Sequence, residues 1–263
     1  MDFGLQGKVA LVAAASKGLG RAIAQELASE GASVVICARG EATLRRTRDE
    51  IAQRTSADVH AVVADVSTLD GIDDIAAEAV KRFGRVDILV NNAGGPPSGP
   101  FEQHNWATWE AAVQLTLRSA VELTRRVLPG MRERRWGRVL NVTSIAAKQP
   151  IDGLMLSNSV RSAVTGWART LANEVASDGI TVNSVLPGFT RTERVQELNA
   201  ATAKREGIEP EEVQRRIEAQ IPMRRIGKPH EFAALVAFLA SERASYITAQ
   251  SIAVDGGWIR SLL

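Results

Sequence analysis

The sequence contains one cysteine, one tyrosine and three histidines among 263 residues. The single cysteine, Cys37, excludes an internal disulfide and a Cys-rich metal site, and its place in an apolar run predicts a packed, inert thiol. The histidines are His60, His104 and His230. None of them pairs with another histidine or a carboxylate at ligand spacing, so we expect no metal site.

Long apolar runs and an excess of charge of one sign are also missing. No stretch approaches the roughly 18 apolar residues of a membrane span, and residues 1–4 lack the regions of a signal peptide, so we expect a cytoplasmic protein. Lys and Arg number 32 against 30 Asp and Glu, which argues against a nucleic-acid-binding face. With 45% apolar residues, residues 1–263 are predicted to form one domain.

What the sequence does contain is a Gly-rich turn between an apolar run and a helical pattern. Residues 8–13 predict a strand, residues 14–20 the turn, and Leu19, Ile23 and Leu27 then recur at helical spacing. Such a turn lets backbone N–H groups approach a phosphate, because glycine has no Cβ and the helix dipole favours negative charge. A second apolar run, 32–38, completes a β-α-β unit of nucleotide-binding length. A turn without a ligand is the alternative.

Strand and helix patterns alternate along the rest of the chain. Further strands are predicted at 58–63, 86–90, 137–142, 180–186 and 251–254, with long helices at 106–135 and 156–177 among those between them. Seven strands separated by helices predict an α/β fold with a doubly wound, seven-stranded parallel sheet covered on both faces. Ligands on such sheets bind at the carboxyl ends of the strands. Residues 189–222 lose strand character and are predicted to form a mobile lid there.

Taken together, these motifs resemble the short-chain dehydrogenase/reductase family, particularly its 3-oxoacyl-acyl-carrier-protein reductase-like members. The resemblance covers nearly the whole chain and is carried by Gly18-Leu19-Gly20, Asn91-Asn92-Ala93-Gly94, Ser144, Pro187-Gly188 with Thr192, and Asp255-Gly256-Gly257. It implies a Rossmann-type domain with a nicotinamide dinucleotide and a small-molecule substrate. It also implies a homotetramer or homodimer in which helices 106–135 and 156–177 pair between subunits.

Charge at the end of the second strand favours NADP(H) over NAD(H). Family members that bind NAD usually carry an acidic residue there, whereas this chain has Arg39, with Lys17 just before the turn's first glycine. Two cations suit a 2′-phosphate, and the alternative is that both face solvent. The resemblance implies that the cofactor is contacted by Ser16, Lys17, Gly18, Leu19, Gly20, Arg39, Asp65, Val66, Asn92, Ala93, Gly94, Arg161, Pro187, Gly188 and Thr192.

The catalytic group departs from the family pattern of Ser, Tyr and Lys with an asparagine on the preceding helix. Ser144 is present, but Ser157 and Arg161 stand where Tyr and Lys are usual, and Thr116 replaces the asparagine. A serine hydroxyl is a weaker acid than a phenol with a pKa of about 10. Arg161 can bond ribose hydroxyls and supply charge, but it does not deprotonate. Lys148 is a candidate replacement cation, the alternative being a solvated lysine.

Two functions follow from this pattern. A positioned acid raises the rate roughly 10²–10⁴-fold. Without the usual tyrosine acid, hydride transfer is therefore slowed but can still occur. The first function is an NADP(H)-dependent oxidoreductase acting on a carbonyl, an alcohol or an activated double bond. Apolar Ile151, Leu154 and Met155 suggest a partly apolar substrate. The second is a dinucleotide-binding protein without turnover, a sensor or a non-catalytic subunit, which Ser157 and Arg161 favour.

Overall fold

Strands and helices alternate in the computed structural model, which describes residues 2–262. The strands are β1 (Val9–Val12), β2 (Ser33–Ala38), β3 (Val59–Val63), β4 (Ile88–Asn91), β5 (Gly137–Val142), β6 (Ile180–Pro187) and β7 (Ser251–Val254). The helices are α1 (Gly18–Ser29), α2 (Glu41–Thr55), α3 (Leu69–Phe83), α4 (Trp106–Val113), α5 (Ser119–Glu133), α6 (Met155–Val175), α7 (Glu193–Glu206), α8 (Pro210–Gln220) and α9 (Pro229–Ala240).

The seven strands form one parallel sheet in the order β3-β2-β1-β4-β5-β6-β7. This confirms the predicted doubly wound α/β fold. Because β2 and β4 lie on opposite sides of β1, the connections that leave β1 and β3 diverge and open a crevice at the carboxyl ends of β1 and β4. The sheet therefore places the Gly-rich turn and the loop after β4 side by side.

Alternation along the strands builds a core on each face of the sheet. In β1, Ala10 and Val12 belong to one apolar cluster, whereas Leu11 belongs to the other. The first cluster is completed by α1, α2 and α9, and the second by α3, α5 and α6. Since successive strand side chains point to opposite faces, a continuous apolar run such as β1 fits only a sheet covered on both sides.

The predicted helix 106–135 is interrupted in the structure. A π-helical turn, Gln114–Arg118, separates α4 from α5, and α5 ends at Glu133. The Ser119 hydroxyl donates to the Leu115 carbonyl at 2.6 Å. This side-chain hydrogen bond competes with the regular backbone hydrogen bonds of an α-helix at this point. The bulge carries the buried Thr116, and such bulges are frequent at functional sites.

The segment predicted as a lid forms α7 and α8 at the carboxyl edge of the sheet. It is tethered at its ends, since Thr190 and Gly227 form a β-bridge and Arg191 N donates to Gly227 O at 2.9 Å. Its mobility stays a prediction. Along residues 2–262, no helix combines the length and the apolar content that crossing a bilayer requires.

Candidate active site

The Gly-rich turn leaves the tip of α1 open toward the crevice. Gly18 adopts φ +59°, and a Cβ at Gly20 would collide with the Ala14 carbonyl oxygen and lie 2.8 Å from Asn92 Nδ2. No side chain caps the first turn of α1, and that turn contains no acidic residue. Its backbone amides can therefore bind an anionic pyrophosphate, so the turn fits the cofactor that the sequence predicts.

The Asn92 side chain fixes the shape of this turn from the neighbouring strand. Its Nδ2 donates to the carbonyl oxygens of Ala13 at 3.0 Å and Ala14 at 3.2 Å. Ala14 itself has φ +47°, in the left-handed region that favours glycine. Ala14 is thus held in a backbone conformation that alanine disfavours.

Three charged side chains lie around the turn. Arg39 and Asp65 follow β2 and β3, and Lys17 precedes α1. Arg39 is 80% exposed, and its Nη1 is 3.8 Å from Asp65 Oδ2. Asp65 Oδ1 accepts hydrogen bonds from the backbone and the hydroxyl of Ser67, which orients the carboxylate beside the buried Val66. Lys17 is also exposed, but it forms an ion pair with Glu193 at the start of α7. The Glu193 carboxylate raises the pKa of Lys17.

Ser144 is the second residue after β5 and has a hydroxyl hydrogen to donate. Its Oγ accepts a hydrogen bond from Ala146 N at 3.1 Å, within the 3₁₀ turn Ile145–Ala147. The Ser144 side chain donates to no acceptor within the described range 2–262. It is half-buried, so a ligand in the cleft can reach it.

The other predicted catalytic residues differ in their surroundings. Ser157 is half-buried in the first turn of α6, and its hydroxyl makes no hydrogen bond to residues 2–262. Lys148 is exposed after the 3₁₀ turn, and its ammonium has no ion pair in the described part of the chain. Arg161 is only 7% exposed, and its Nη1 donates to the carbonyls of Val142 and Thr143. The structure thus brings Arg161 against the end of β5, just before Ser144.

A small polar cavity lies between Arg161 and the π-helical turn. Its volume is about 10 Å³, enough for one water molecule. Thr116 and Asn141 line it, and Thr116 Oγ1 and Asn141 Nδ2 are buried without a hydrogen-bond partner in the protein. Asn141 Oδ1 accepts from Asn91 Nδ2 at 2.9 Å across the strand pair β4–β5. Buried polar atoms of this kind usually bind water or a ligand.

The start of α7 closes over the crevice with Thr192, which the sequence analysis predicted, and with Arg194, which it did not single out. Thr192 caps α7 by accepting from Val195 N, and a Cβ at Gly18 would lie 3.6 Å from Thr192 Cγ2. Arg194 Nη2 donates to Pro96 O at 2.8 Å, in the loop that follows Asn92-Ala93-Gly94. The Arg194–Pro96 contact joins segments 98 residues apart, so no local sequence pattern signals it.

Two further family motifs pack against each other beside α7. Gly188 N donates to Val254 O at 3.0 Å, and a Cβ at Gly188 would lie 2.6 Å from Asp255 Cβ. Asp255 in turn accepts from the backbone amides of Gly257 and Ile259. Pro187-Gly188 and Asp255-Gly256-Gly257 therefore form one backbone junction at the edge of the site.

Groups of three or more His, Cys, Asp or Glu side chains arranged to hold a metal ion do not occur in residues 2–262. Arg161 carries a buried positive charge beside the two residues that precede Ser144. Burial, and to a lesser extent the positive charge of Arg194, lowers the pKa of Arg161. The site therefore combines hydroxyl groups with fixed positive charge.

Comparison with known proteins adds to this geometry. A family model described as enoyl-(acyl carrier protein) reductase matches residues 13–259. The 3-oxoacyl-[acyl-carrier-protein] reductase FabG of Vibrio cholerae is 36% identical over 96% of this chain and 98% of its own. The L-sorbose reductase of Gluconobacter frateurii, solved with NADPH and L-sorbose, is 33% identical with full coverage of both chains and a TM-score of 0.95.

A solved actinorhodin polyketide ketoreductase with NADPH is similar to the same degree. It is 35% identical, covers 97% of this chain and 98% of its own, and superimposes with a TM-score of 0.93. The likeness to reductases of different substrates thus extends along nearly the whole chain.

Proposed function

Because the chain belongs to the short-chain dehydrogenase/reductase family, we propose that it is an NADP(H)-dependent oxidoreductase that reduces a ketone-like or 3-oxoacyl carbonyl, or oxidises the matching alcohol. One observation carries this proposal: the Ser144 hydroxyl, free to donate, stands at the same sheet edge as the open tip of α1. We propose that residues 1–263 act as one domain with a mobile lid at about 189–222, in the cytoplasm.

Arg39 supports the choice of NADP(H). It is exposed at the end of β2, where its only ion-pair partner in the described chain lies at 3.8 Å. A guanidinium in this position can bind a 2′-phosphate with two charge-assisted hydrogen bonds. The relatives solved with NADPH agree with this choice. Arg39→Ala should weaken NADPH binding more than NADH binding, and equal weakening would contradict it.

The cofactor residues predicted from the sequence divide between the two walls of the crevice. On the first wall, Ser16 to Gly20 would bind the phosphates and Asp65 with Val66 the adenine. On the second wall, Asn92 to Gly94 would lie along the cofactor, with Pro187, Gly188 and Thr192 near the nicotinamide. The Thr192–Gly18 approach supports a cofactor that spans both walls.

When bound, the cofactor supplies the hydride. The residues of the chain hold the carbonyl oxygen: the Ser144 hydroxyl donates a hydrogen bond to it, and this bond strengthens as negative charge develops. Ser157 is a second hydroxyl at the start of α6, while Arg161 supplies positive charge. The oxygen finally takes its proton from solvent water, which leaves a hydroxide ion that the buffer neutralises. Thr116 would orient water in the cavity beside Arg161, and Lys148 would attract anionic substrates at the rim.

The substrate wall is partly apolar. Gly99 N donates to Gly153 O at 2.7 Å, so the Pro-rich loop after β4 and the loop before α6 are joined. Ile151, Leu154 and Met155 on the second loop are half-buried. We propose that a substrate with an apolar portion lies between these loops and the lid.

A second candidate function is cofactor binding without turnover, as a sensor or a non-catalytic subunit. Tyr246, the chain's one tyrosine, is fully exposed and precedes β7, at the sheet edge opposite the site. No phenol can therefore replace the missing acid. This observation favours the second candidate, whereas the free hydroxyl of Ser144 favours the first.

One experiment separates the two candidates. NADPH binding is measured by fluorescence titration, and NADPH oxidation is then followed with acetoacetyl-CoA, crotonyl-CoA, L-sorbose and a quinone. Oxidation with a ketone or 3-oxoacyl thioester supports the first candidate. Binding without oxidation supports the second, oxidation with crotonyl-CoA alone indicates reduction of a double bond, and absence of binding contradicts both.

We further propose a homotetramer or homodimer formed through helices 106–135 and 156–177. Trp106 is 76% exposed and Val113, seven residues on, is 38% exposed, so these two apolar side chains lie on one face of α4. Covering such a face is a common reason for association. Light scattering should give a mass above 28.3 kDa, and a monomer would contradict the proposal.

A further inference from the structure

Arg161 binds the backbone that leads into Ser144. Its Nη1 lies 2.9 Å from Val142 O and 2.8 Å from Thr143 O, the two carbonyls directly before the serine. Although the side chain is only 7% exposed, it pairs with no carboxylate among residues 2–262. The guanidinium is thus committed to backbone oxygens.

These two hydrogen bonds lie where other support for the strand ends. The ladder between β5 and β6 stops at the pair Val142 and Val185, followed only by a bond from Thr143 N to Val185 O at 3.0 Å. Ser144 then starts a 3₁₀ turn in which its own Oγ accepts from Ala146 N. The Arg161 contacts therefore hold the last two peptide units before the turn.

Arginine suits this task better than the lysine that is usual in the family. The lysine ammonium ends one bond short of the Nη1 position, and arginine presents five donors in a rigid plane. Nε and Nη2 of Arg161 make no hydrogen bond within the described chain. One guanidinium can therefore hold the strand end and still offer donors to a ribose hydroxyl.

Charge strengthens this arrangement. Hydrogen bonds from a charged donor are stronger than neutral ones. Burial, together with the charge of Arg194, lowers the pKa of Arg161 to about 10. The guanidinium consequently stays charged at neutral pH, and the contacts with Val142 and Thr143 persist there.

We infer that Arg161 is a positioning residue that acts through Ser144: by clamping the carbonyls of residues 142 and 143, it fixes the turn that aims the serine hydroxyl. The clamp follows from the structure alone, and its effect on turnover rests on the proposed function.

Arg161→Lys tests the clamp because it keeps the charge and shortens the reach. Arg169→Lys, on the exposed face of the same helix, is the matched control. In Arg161→Lys we expect amide hydrogen exchange of residues 143–147 to accelerate about tenfold, because local opening becomes easier. The control should leave exchange unchanged. Equal exchange in Arg161→Lys and the wild type overturns the inference. If the lysine variant does not fold, Arg161→Gln takes its place under the same criterion.

Two further measurements separate positioning from cofactor binding. The Kd for NADPH should change less than about twofold in Arg161→Lys, because lysine keeps the positive charge and its ammonium can still donate to a ribose hydroxyl. With acetoacetyl-CoA as substrate, kcat should fall about 10- to 100-fold, the scale of a misplaced catalytic group. In a Ser144→Ala background the same substitution should change kcat less than about twofold, since a lost hydroxyl cannot be misplaced.

The outcomes are distinguishable. An equal loss of kcat in both backgrounds, or a weakened Kd that accounts for the whole effect, overturns action through Ser144. If the wild-type protein binds NADPH but oxidises it with none of the substrates, the proposed oxidoreductase fails together with the kinetic half of the inference. The exchange measurement still decides the clamp.

Discussion

Lys17 and Glu193 form an ion pair that joins the Gly-rich turn to the first turn of α7. Both side chains are more than half exposed, so the pair is worth about 0.2–1 kcal/mol, as is usual for surface pairs. Lys17 is also the cation that we assign, with Arg39, to the 2′-phosphate of NADP(H). The Glu193 carboxylate and the phosphate therefore compete for one ammonium group.

Glu193→Gln should tighten NADPH binding, because it releases Lys17 for the phosphate. The surface-pair energy corresponds to a decrease in Kd of about 1.4- to 5-fold. NADH lacks the phosphate, so its Kd should stay constant. Fluorescence titration with both dinucleotides checks the prediction.

Glu206→Gln is the control, since Glu206 lies at the other end of α7 and pairs with Arg205 and Arg216. It should leave both dissociation constants unchanged. If Glu193→Gln tightens NADH and NADPH binding by the same factor, it acts on the lid in general. If it leaves NADPH binding unchanged, Glu193 does not compete with the phosphate for Lys17.

Ser144→Ala should lower turnover by about 10²–10⁴, the contribution of a positioned hydrogen-bond donor or acid. NADPH binding should persist, because the serine lies beyond the turn that binds the phosphates. Steady-state kinetics with acetoacetyl-CoA, together with NADPH titration, measure the two effects separately. Undiminished turnover would rule out the role assigned to Ser144.

Ala14→Gly should stabilise the protein. An L-residue in the left-handed region costs about 1–2 kcal/mol, and glycine removes this cost. Glycine also makes the unfolded chain more flexible, which lowers the stability by about 0.4–1 kcal/mol. The free energy of unfolding should rise by about 1 kcal/mol, which raises Tm by about 2–4 °C.

Ala13→Gly is the control for Ala14→Gly. Ala13 is fully buried and has no positive φ, so glycine there should destabilise the protein by at least about 0.5–1 kcal/mol. A lower Tm in both variants would contradict the strain assigned to Ala14.

Cys37 should be inert in the native protein. It is 1% exposed, and burial raises the pKa of its thiol to about 12, while only the thiolate reacts. At pH 8 an aromatic disulfide reagent should modify one thiol in denaturant and none in buffer. The native pKa of Cys37 lies above the unfolded value. Its contribution to the free energy of unfolding is therefore fully present below about pH 8.5 and declines as the pH rises toward 12.

Ser162→Cys supplies a positive control for the reagent, since Ser162 is exposed on α6. The variant should react once without denaturant. Rapid modification of Cys37 in the native wild type would show that β2 opens easily, contrary to its position inside the sheet.

Local sequence patterns predicted most of the fold. The strands predicted at 137–142 and 251–254 have the same bounds as β5 and β7. Short runs with apolar and β-branched residues, bounded by turn residues, leave little choice of where a strand begins and ends. The predicted helix 106–135 failed at its centre, where 3.6-residue periodicity continues through the π-helical turn at Gln114–Arg118. Periodicity reports which face is buried and does not report how the backbone bonds are made.

The site was predictable only as a set of residue types at the ends of strands. That Arg161 points at Val142 and Thr143, and that Glu193 pairs with Lys17, depend on side-chain directions between segments remote in sequence. No spacing rule carries this information, since the partners share no common element.

The two hydrogen bonds from Asn92 to Ala13 and Ala14 cross from β4 to the turn after β1. Residues 1–60 contain every glycine of the phosphate turn. They lack Asn92, however, and so cannot be transferred to another protein as a working unit. On another scaffold the turn would lack the Asn92 carboxamide that holds its carbonyl groups, so a transplanted segment would have to extend through residue 92.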